Sequence, residues 1–104
     1  MQSMSSTSAV ELMLLAVLRR GPAHGYGIIA ALRDRSEGTF DFPEGTIYPA
    51  LHRLEQAGLV ESSVDVAQGR RRRTYTLTAR GRTEFAAQRR QWRTFVSTMQ
   101  AVIA

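Results

Sequence analysis

Three short amphipathic stretches, a two-stranded hairpin and one long closing stretch predict a mainly α (α+β) fold. Its expected form is a winged helix-turn-helix, three helices plus a β-hairpin wing, followed by a C-terminal helix. Two features of the sequence support this order. Breakers at Gly21-Pro22, Gly38 and Gly58 separate the three helical patterns, and Gly69 interrupts two strand-like runs.

Ser8-Ala9-Val10-Glu11 fits a capping box, with Ser8 as N-cap and Glu11 at the third helical position. Val10, Met13, Leu14, Val17 and Leu18 mark the inner face of a first helix ending near Arg20, where arginines suit the C-terminal dipole. A second helix starts near His24 or Gly25, turns Ile28, Ile29 and Leu32 inward, and stops at Ser36-Glu37-Gly38. Phe40 and Phe42 alternate with Thr39 and Asp41, as in a very short strand or an extended linker. Pro43 favours an extended residue before it. The third helix spans about 45–57, with Ile47, Ala50, Leu51, Leu54 and Ala57 inward and Gly58 as its stop. Pro49 has no amide hydrogen to donate, so it belongs in the first turn or so. A strand over about 59–66 places Val60, Val64 and Val66 on one face. A turn around 67–71 gives the hairpin an arginine-loaded tip, and a second strand over 72–77 points Tyr75 and Leu77 one way, Thr74 and Thr76 the other. The last helix runs over roughly 79–103 with the stripe Phe85, Gln88, Trp92, Phe95, Val96, Met99, Val102 and Ile103.

Composition narrows the function. The chain has 104 residues and a formal net charge of +5. It contains no cysteine, which excludes disulfides and thiolate metal sites. His24 and His52 have no companions at metal-ligand spacing, so neither a metal nor another cofactor is expected. No apolar run approaches a membrane span, and the polar N-terminus lacks the pattern of a signal peptide, so a cytoplasmic protein is expected. There is no nucleophile elbow, phosphate loop or paired carboxylate, so no catalytic site is expected.

Charge placement says more than its sum. Every basic residue is arginine, which fits either a GC-rich genome or guanidinium recognition of phosphate and guanine. Residues 68–80 carry five arginines and no acid, whereas residues 1–67 carry five arginines and eight acids. A run such as Arg70-Arg71-Arg72-Arg73 is ordinarily a solvated surface feature. On a hairpin next to a candidate recognition helix, it reads instead as a contact to double-stranded DNA. On the third helix, Tyr48 and His52 share a face with Pro49, Arg53 and Gln56 beside them, opposite the apolar stripe. Thr46 sits near the helix start, where free amides attract phosphate. The expected DNA contacts are therefore Thr46, Tyr48, Pro49, His52, Arg53, Arg70, Arg71, Arg72 and Arg73.

The last helix either folds back on its own core or pairs with a second copy. Phe85, Trp92 and Met99 repeat every seven residues, with Phe95, Val96, Val102 and Ile103 beside them, which suits an interhelical seam in a homodimer. The corresponding division is 1–80 for a DNA-binding winged helix-turn-helix and 81–104 for a dimerisation helix. A flat indole near a dimer axis leaves room for a stacked aromatic ligand, with Met13 and Met99 as adaptable walls around Trp92 and Arg89 and Arg93 to attract an anionic phenol. The rival class is a winged-helix module for protein contact without DNA.

Leu14–Leu18, Gly21-Pro22-Ala23-His24-Gly25-Tyr26 and Glu44-Gly45-Thr46-Ile47-Tyr48-Pro49-Ala50-Leu51 together resemble the PadR-like transcriptional regulators. So do Arg53-Leu54-Glu55, Gly58-Leu59-Val60, the arginines of the wing and Tyr75-Thr76-Leu77-Thr78 with Gly81. The resemblance covers nearly the whole chain. It implies a homodimeric repressor, often of transporter or detoxification genes, relieved by small apolar or phenolic ligands. The single C-terminal helix is similar to the short subfamily, some of whose members stack planar compounds on a tryptophan spaced from the glycine as Trp92 is from Gly81. Gly27 departs from the pattern, where many members carry Glu.

Overall fold

The computed structural model describes residues 6–104, and the expected order of helices and wing is present. Helix α1 spans Ser6–Arg19 and is already helical two residues ahead of the expected Ser8 cap. The capping box is therefore not the start of the helix, and whatever caps it lies outside the described residues. The Glu11 carboxylate, expected to close that cap, accepts a hydrogen bond from Arg53 at 2.9 Å instead.

After Gly21-Pro22 comes a two-residue strand that was not anticipated, β1 (Ala23–His24). Two residues are too few to show an alternation, so only the pairing reveals it. Helix α2 spans Gly25–Arg35 and α3 spans Glu44–Gln56. Between them no strand forms; Phe40 and Phe42 stack with ring centroids 5.7 Å apart. Pro49 is the sixth residue of α3, deeper than the first turn, so the Gly45 carbonyl has no amide hydrogen to accept from it. The helix closes as a Schellman motif: Gly58 N–H donates to Glu55 O and Leu59 N–H to Leu54 O. Ala57 is the C-cap and is exposed rather than inward.

Strands β2 (Val60–Ala67) and β3 (Arg70–Leu77) form the hairpin, and β1 pairs with the other edge of β3, giving the antiparallel order β1-β3-β2. The turn is two residues long, and Gln68 and Gly69 both have positive φ, 53° and 75°. That is a tight hairpin turn matched to strand twist. It moves Arg70 and Arg71 out of the expected turn and into β3, where they continue the strand that holds Arg72 and Arg73.

One core holds these elements together. Leu14, Leu15, Leu18, Ile28, Ile47, Ala50 and Leu51 are fully buried, with Leu54, Val60, Tyr75, Leu77 and Phe85 nearly so. Each aliphatic or aromatic side chain of this kind contributes about 1.5–3 kcal/mol over its exposed state. The valine row of β2 splits: Val60 is buried, but Val64 and Val66 are exposed, because the hairpin outruns the helices it packs on.

Helix α4 spans Ala79–Ile103. Thr78 caps it by accepting from Gly81 N–H at 2.9 Å while donating to Gly58 O at 2.8 Å. Gly81 is pressed against the Leu59 backbone so closely that any side chain would strike its carbonyl. Phe85 belongs to the intrachain core and not to the exposed stripe, with the Arg19 guanidinium 5.8 Å from its ring centroid. Beyond it the helix leaves the body of the molecule, which measures 54 × 29 × 22 Å.

Candidate nucleic-acid interface

The sequence of α3 sorts its residues around the axis. Ile47, Ala50, Leu51 and Leu54 face the core. Gly45, Pro49, His52 and Gln56 lie opposite and are exposed. A helical projection places Gly45 and Gln56 at the centre of this outer face, beside the expected contacts Pro49 and His52. Thr46 sits at the margin, half-buried.

Tyr48 is also half-buried and packs against the core. On a helical projection it stands only about 60° from Leu51, so it belongs to the edge of the stripe rather than the opposite face. Its ring lies across Gly25 at the start of α2: a Cβ added there would stand 2.6 Å from the Tyr48 Cε1 and Cζ atoms. Tyr48 therefore has a structural task as well as a place beside the wing. Burial, then the nearby Glu44 carboxylate, push its phenol above the ordinary value. A hydrogen bond to Glu44, and that carboxylate's charge, do the same to the exposed Tyr26.

A cleft of about 410 Å³ joins these parts, lined by His24, Gly25, Tyr26, Gly27, Tyr48 and Arg70–Arg73. Strand alternation divides the arginines. Arg71 and Arg73 share a face with Tyr75, while Arg70 and Arg72 share the other with Thr74. On that second face the Thr74 hydroxyl lies 3.3 Å from His24 Nδ1, so His24 helps fix β1 to β3. Among the described residues, Arg70, Arg71 and Arg72 make no ion pair. Two other expected contacts are held within the chain. Arg53 is bound by Glu11, and Arg73 Nη1 donates to Ser62 Oγ at 3.0 Å. The pairings of Glu11 with Arg53 and of Ser62 with Arg73 carried no sequence signal, since each arises only through tertiary packing.

The stripe on α4 is exposed from its middle onward. Trp92 is 39% exposed, Met99 44%, Val102 76% and Ile103 73%, while Phe95 and Val96 are half-buried. The Trp92 and Phe95 rings stack at 5.7 Å. Met13 is not beside them within the chain; it lines a separate apolar hollow with Ala16, Val17, Leu32, Arg35, Ser36 and Phe40.

Three helices, a hairpin wing rich in unpaired arginine, and an exposed polar face on the third helix define a winged helix-turn-helix protein. Residues 14–87 match the model of the transcriptional regulator PadR-like family, and the chain belongs to that family. A transcriptional regulator of Mycobacterium tuberculosis is 37% identical over 83 residues, covering 80% of this chain and 75% of its own length. A PadR family transcription regulator from Clostridium difficile superposes with a TM-score of 0.79 at 28% identity, over 91% of this chain and 98% of its own. A protein of Streptococcus mutans superposes with a TM-score of 0.83 at 27% identity, over 99% and 93%. The family and its Mycobacterium and Clostridium members are transcriptional regulators, not enzymes. Among the described residues, no helix is long and apolar enough to cross a membrane.

Proposed function

We propose that this protein is a homodimeric, sequence-specific DNA-binding repressor, active in the cytoplasm. The observation that carries the reading is the cleft in which Arg70, Arg71 and Arg72 stand beside Tyr48, at the edge of α3, and the start of α2. Pro49 and His52, with Gly45 and Gln56, enter the major groove. Thr46 and the Tyr48 phenol stand at its edge, and the arginines hold the flanking backbone. Residues 1–80 form the DNA-binding unit and 81–104 the dimerisation helix, whose first turns share the core of the former. The far half of α4, from Trp92 to Ile103, pairs with its copy, because a row of exposed Trp, Met, Val and Ile is costly in water.

An electrophoretic shift with a fragment of the protein's own promoter tests the reading. A sequence-dependent shift is expected. No shift at low salt overturns it and leaves a protein-interaction module as the alternative. The stacked Trp92–Phe95 pair supports a planar aromatic or phenolic effector at the dimer axis. Trp92 is the sole indole, so its fluorescence reports on that site directly. Saturable quenching by planar aromatics, lost in Phe95→Ala and kept in Arg72→Ala, is expected. Absence of quenching across a broad panel makes Trp92 part of the interface alone.

A further inference from the structure

The outer half of the wing has little to hold it in place. Val64 and Val66 are exposed, Arg70–Arg73 are exposed, and an isolated two-stranded ribbon is marginal in water. Its attitude toward α3 must be set where the ribbon leaves the core. At that point a chain of hydrogen bonds crosses from helix to wing. Ser62 Oγ donates to Glu55 Oε2 at 2.7 Å, and Arg73 Nη1 donates to the same Ser62 Oγ at 3.0 Å. The hydroxyl uses its one hydrogen toward the carboxylate and a lone pair toward the guanidinium, so both links are charge-assisted. Glu55 projects from α3 toward the wing. Its neighbour but one, Arg53, projects to the other side and is held by Glu11 of α1 at 2.9 Å. The helix is thus braced on both flanks, and β1 pins the far edge of β3 through Ala23–Tyr75 and His24–Thr74.

We propose that Glu55, acting through Ser62 on Arg73, is a positioning residue that sets the angle between wing and recognition helix. Arg73 is then a strut, not a phosphate contact. This rests on the DNA-binding reading above. Its consequence is selectivity. With the angle fixed, Arg70–Arg72 reach the backbone only when α3 is seated in the register its base contacts demand. With the strut cut, the ribbon adapts to any duplex, and the released Arg73 adds a phosphate contact.

The test compares Glu55→Gln, Ser62→Ala, Arg73→Ala and Arg71→Ala on the promoter fragment and on random-sequence duplex across a salt series. Arg71→Ala flattens the log K against log salt slope by roughly 0.9, whereas Arg73→Ala leaves it unchanged. Glu55→Gln and Ser62→Ala steepen the slope on random duplex by up to about 0.9 and narrow the ratio of specific to random affinity. Arg73→Ala flattening the slope as much as Arg71→Ala overturns the proposal, as does an unchanged affinity ratio in both Glu55→Gln and Ser62→Ala. Amide hydrogen exchange without DNA gives a separate reading. Exchange over 63–72 accelerates in Ser62→Ala if the strut holds the wing, and wild-type rates there overturn it. Failure of the wild type to bind any duplex sinks the DNA-binding reading instead, and the exchange arm still decides the strut.

Discussion

The wing and the far half of α4 both project from the same small core, yet they expose opposite chemistry. The wing offers guanidinium groups, whereas α4 offers Trp92, Met99, Val102 and Ile103. Water solvates the first at little cost, so an arginine strand remains open until an anion arrives. It does not solvate the second, and a continuous apolar row calls for cover by another protein surface. A short chain can therefore separate two binding tasks by the type of surface each projection presents.

The comparison breaks most visibly if α4 is made polar. In Met99→Glu a carboxylate would lie in the seam, and the dimer Kd should rise by about two to three orders of magnitude. Sedimentation at micromolar concentration should show a monomer for the variant and a dimer for the wild type. A monomeric wild type would remove the contrast altogether.

The next effect concerns the contact between α2 and α3 beside the wing. Gly25→Ala drives a methyl group into the Tyr48 ring, an overpacking that should cost about 1–3 kcal/mol and appear as a lower Tm. Tyr48→Ala removes the obstacle, so the double variant should be less destabilised than the two losses added together. Additivity would mean that the ring and Gly25 do not meet.

On the wing itself, replacing Arg71 and Arg72 by Ala should flatten the salt slope of DNA binding by about one to two units while leaving the dimer intact. If dimerisation weakened as well, the two surfaces would not be independent.

The smallest effect is alkaline. Burial is the leading cause that raises the phenols of Tyr48 and Tyr75 above their ordinary value. A raised folded pKa contributes stability that is complete below the unfolded value of about 10 and is lost as pH climbs through the folded one. Thermal melts should thus show no tyrosine-linked loss between pH 7 and 9 and a decline above 10. Tyr75→Phe should soften that decline, and an unaltered decline would assign it to other groups.

The sequence made the helices legible because Ile47, Ala50, Leu51 and Leu54 recur with the helical period and Gly58 closes the pattern. The limits of α4 were equally plain, from the Thr78-Ala79 junction to Ile103. What periodicity missed were contacts between elements. The helical projection already sets Tyr48 at the edge of the stripe, but only the packing of α2 on α3 shows that its ring covers Gly25. Phe85 fitted the seven-residue seam as well as Trp92 did, and only the packing of α1 against the root of α4 separates them. The sequence places Arg70 and Arg71 in a longer turn because Gln68 is an uncommon residue for positive φ, whereas both begin β3. Glu55 and Ser62 sit seven residues apart across a helix end and a turn, a spacing that matches no local pattern.

The glycine at the root of α4 bears on operator geometry. Gly81 lets the helix backbone rest on Leu59, and the Thr78 hydroxyl ties the same point to Gly58. A 25-residue helix is about 37 Å long, so a tilt of roughly 10° at this root would carry the far end through about 6 Å. In a dimer paired through that far end, the same angle governs how far apart the two recognition helices stand. Half-sites lie about 34–36 Å apart along the duplex, and 6 Å is nearly two base-pair steps at about 3.4 Å each. A bulkier residue at 81 would therefore re-phase the pair of half-sites the protein accepts while leaving each single half-site contact as it was.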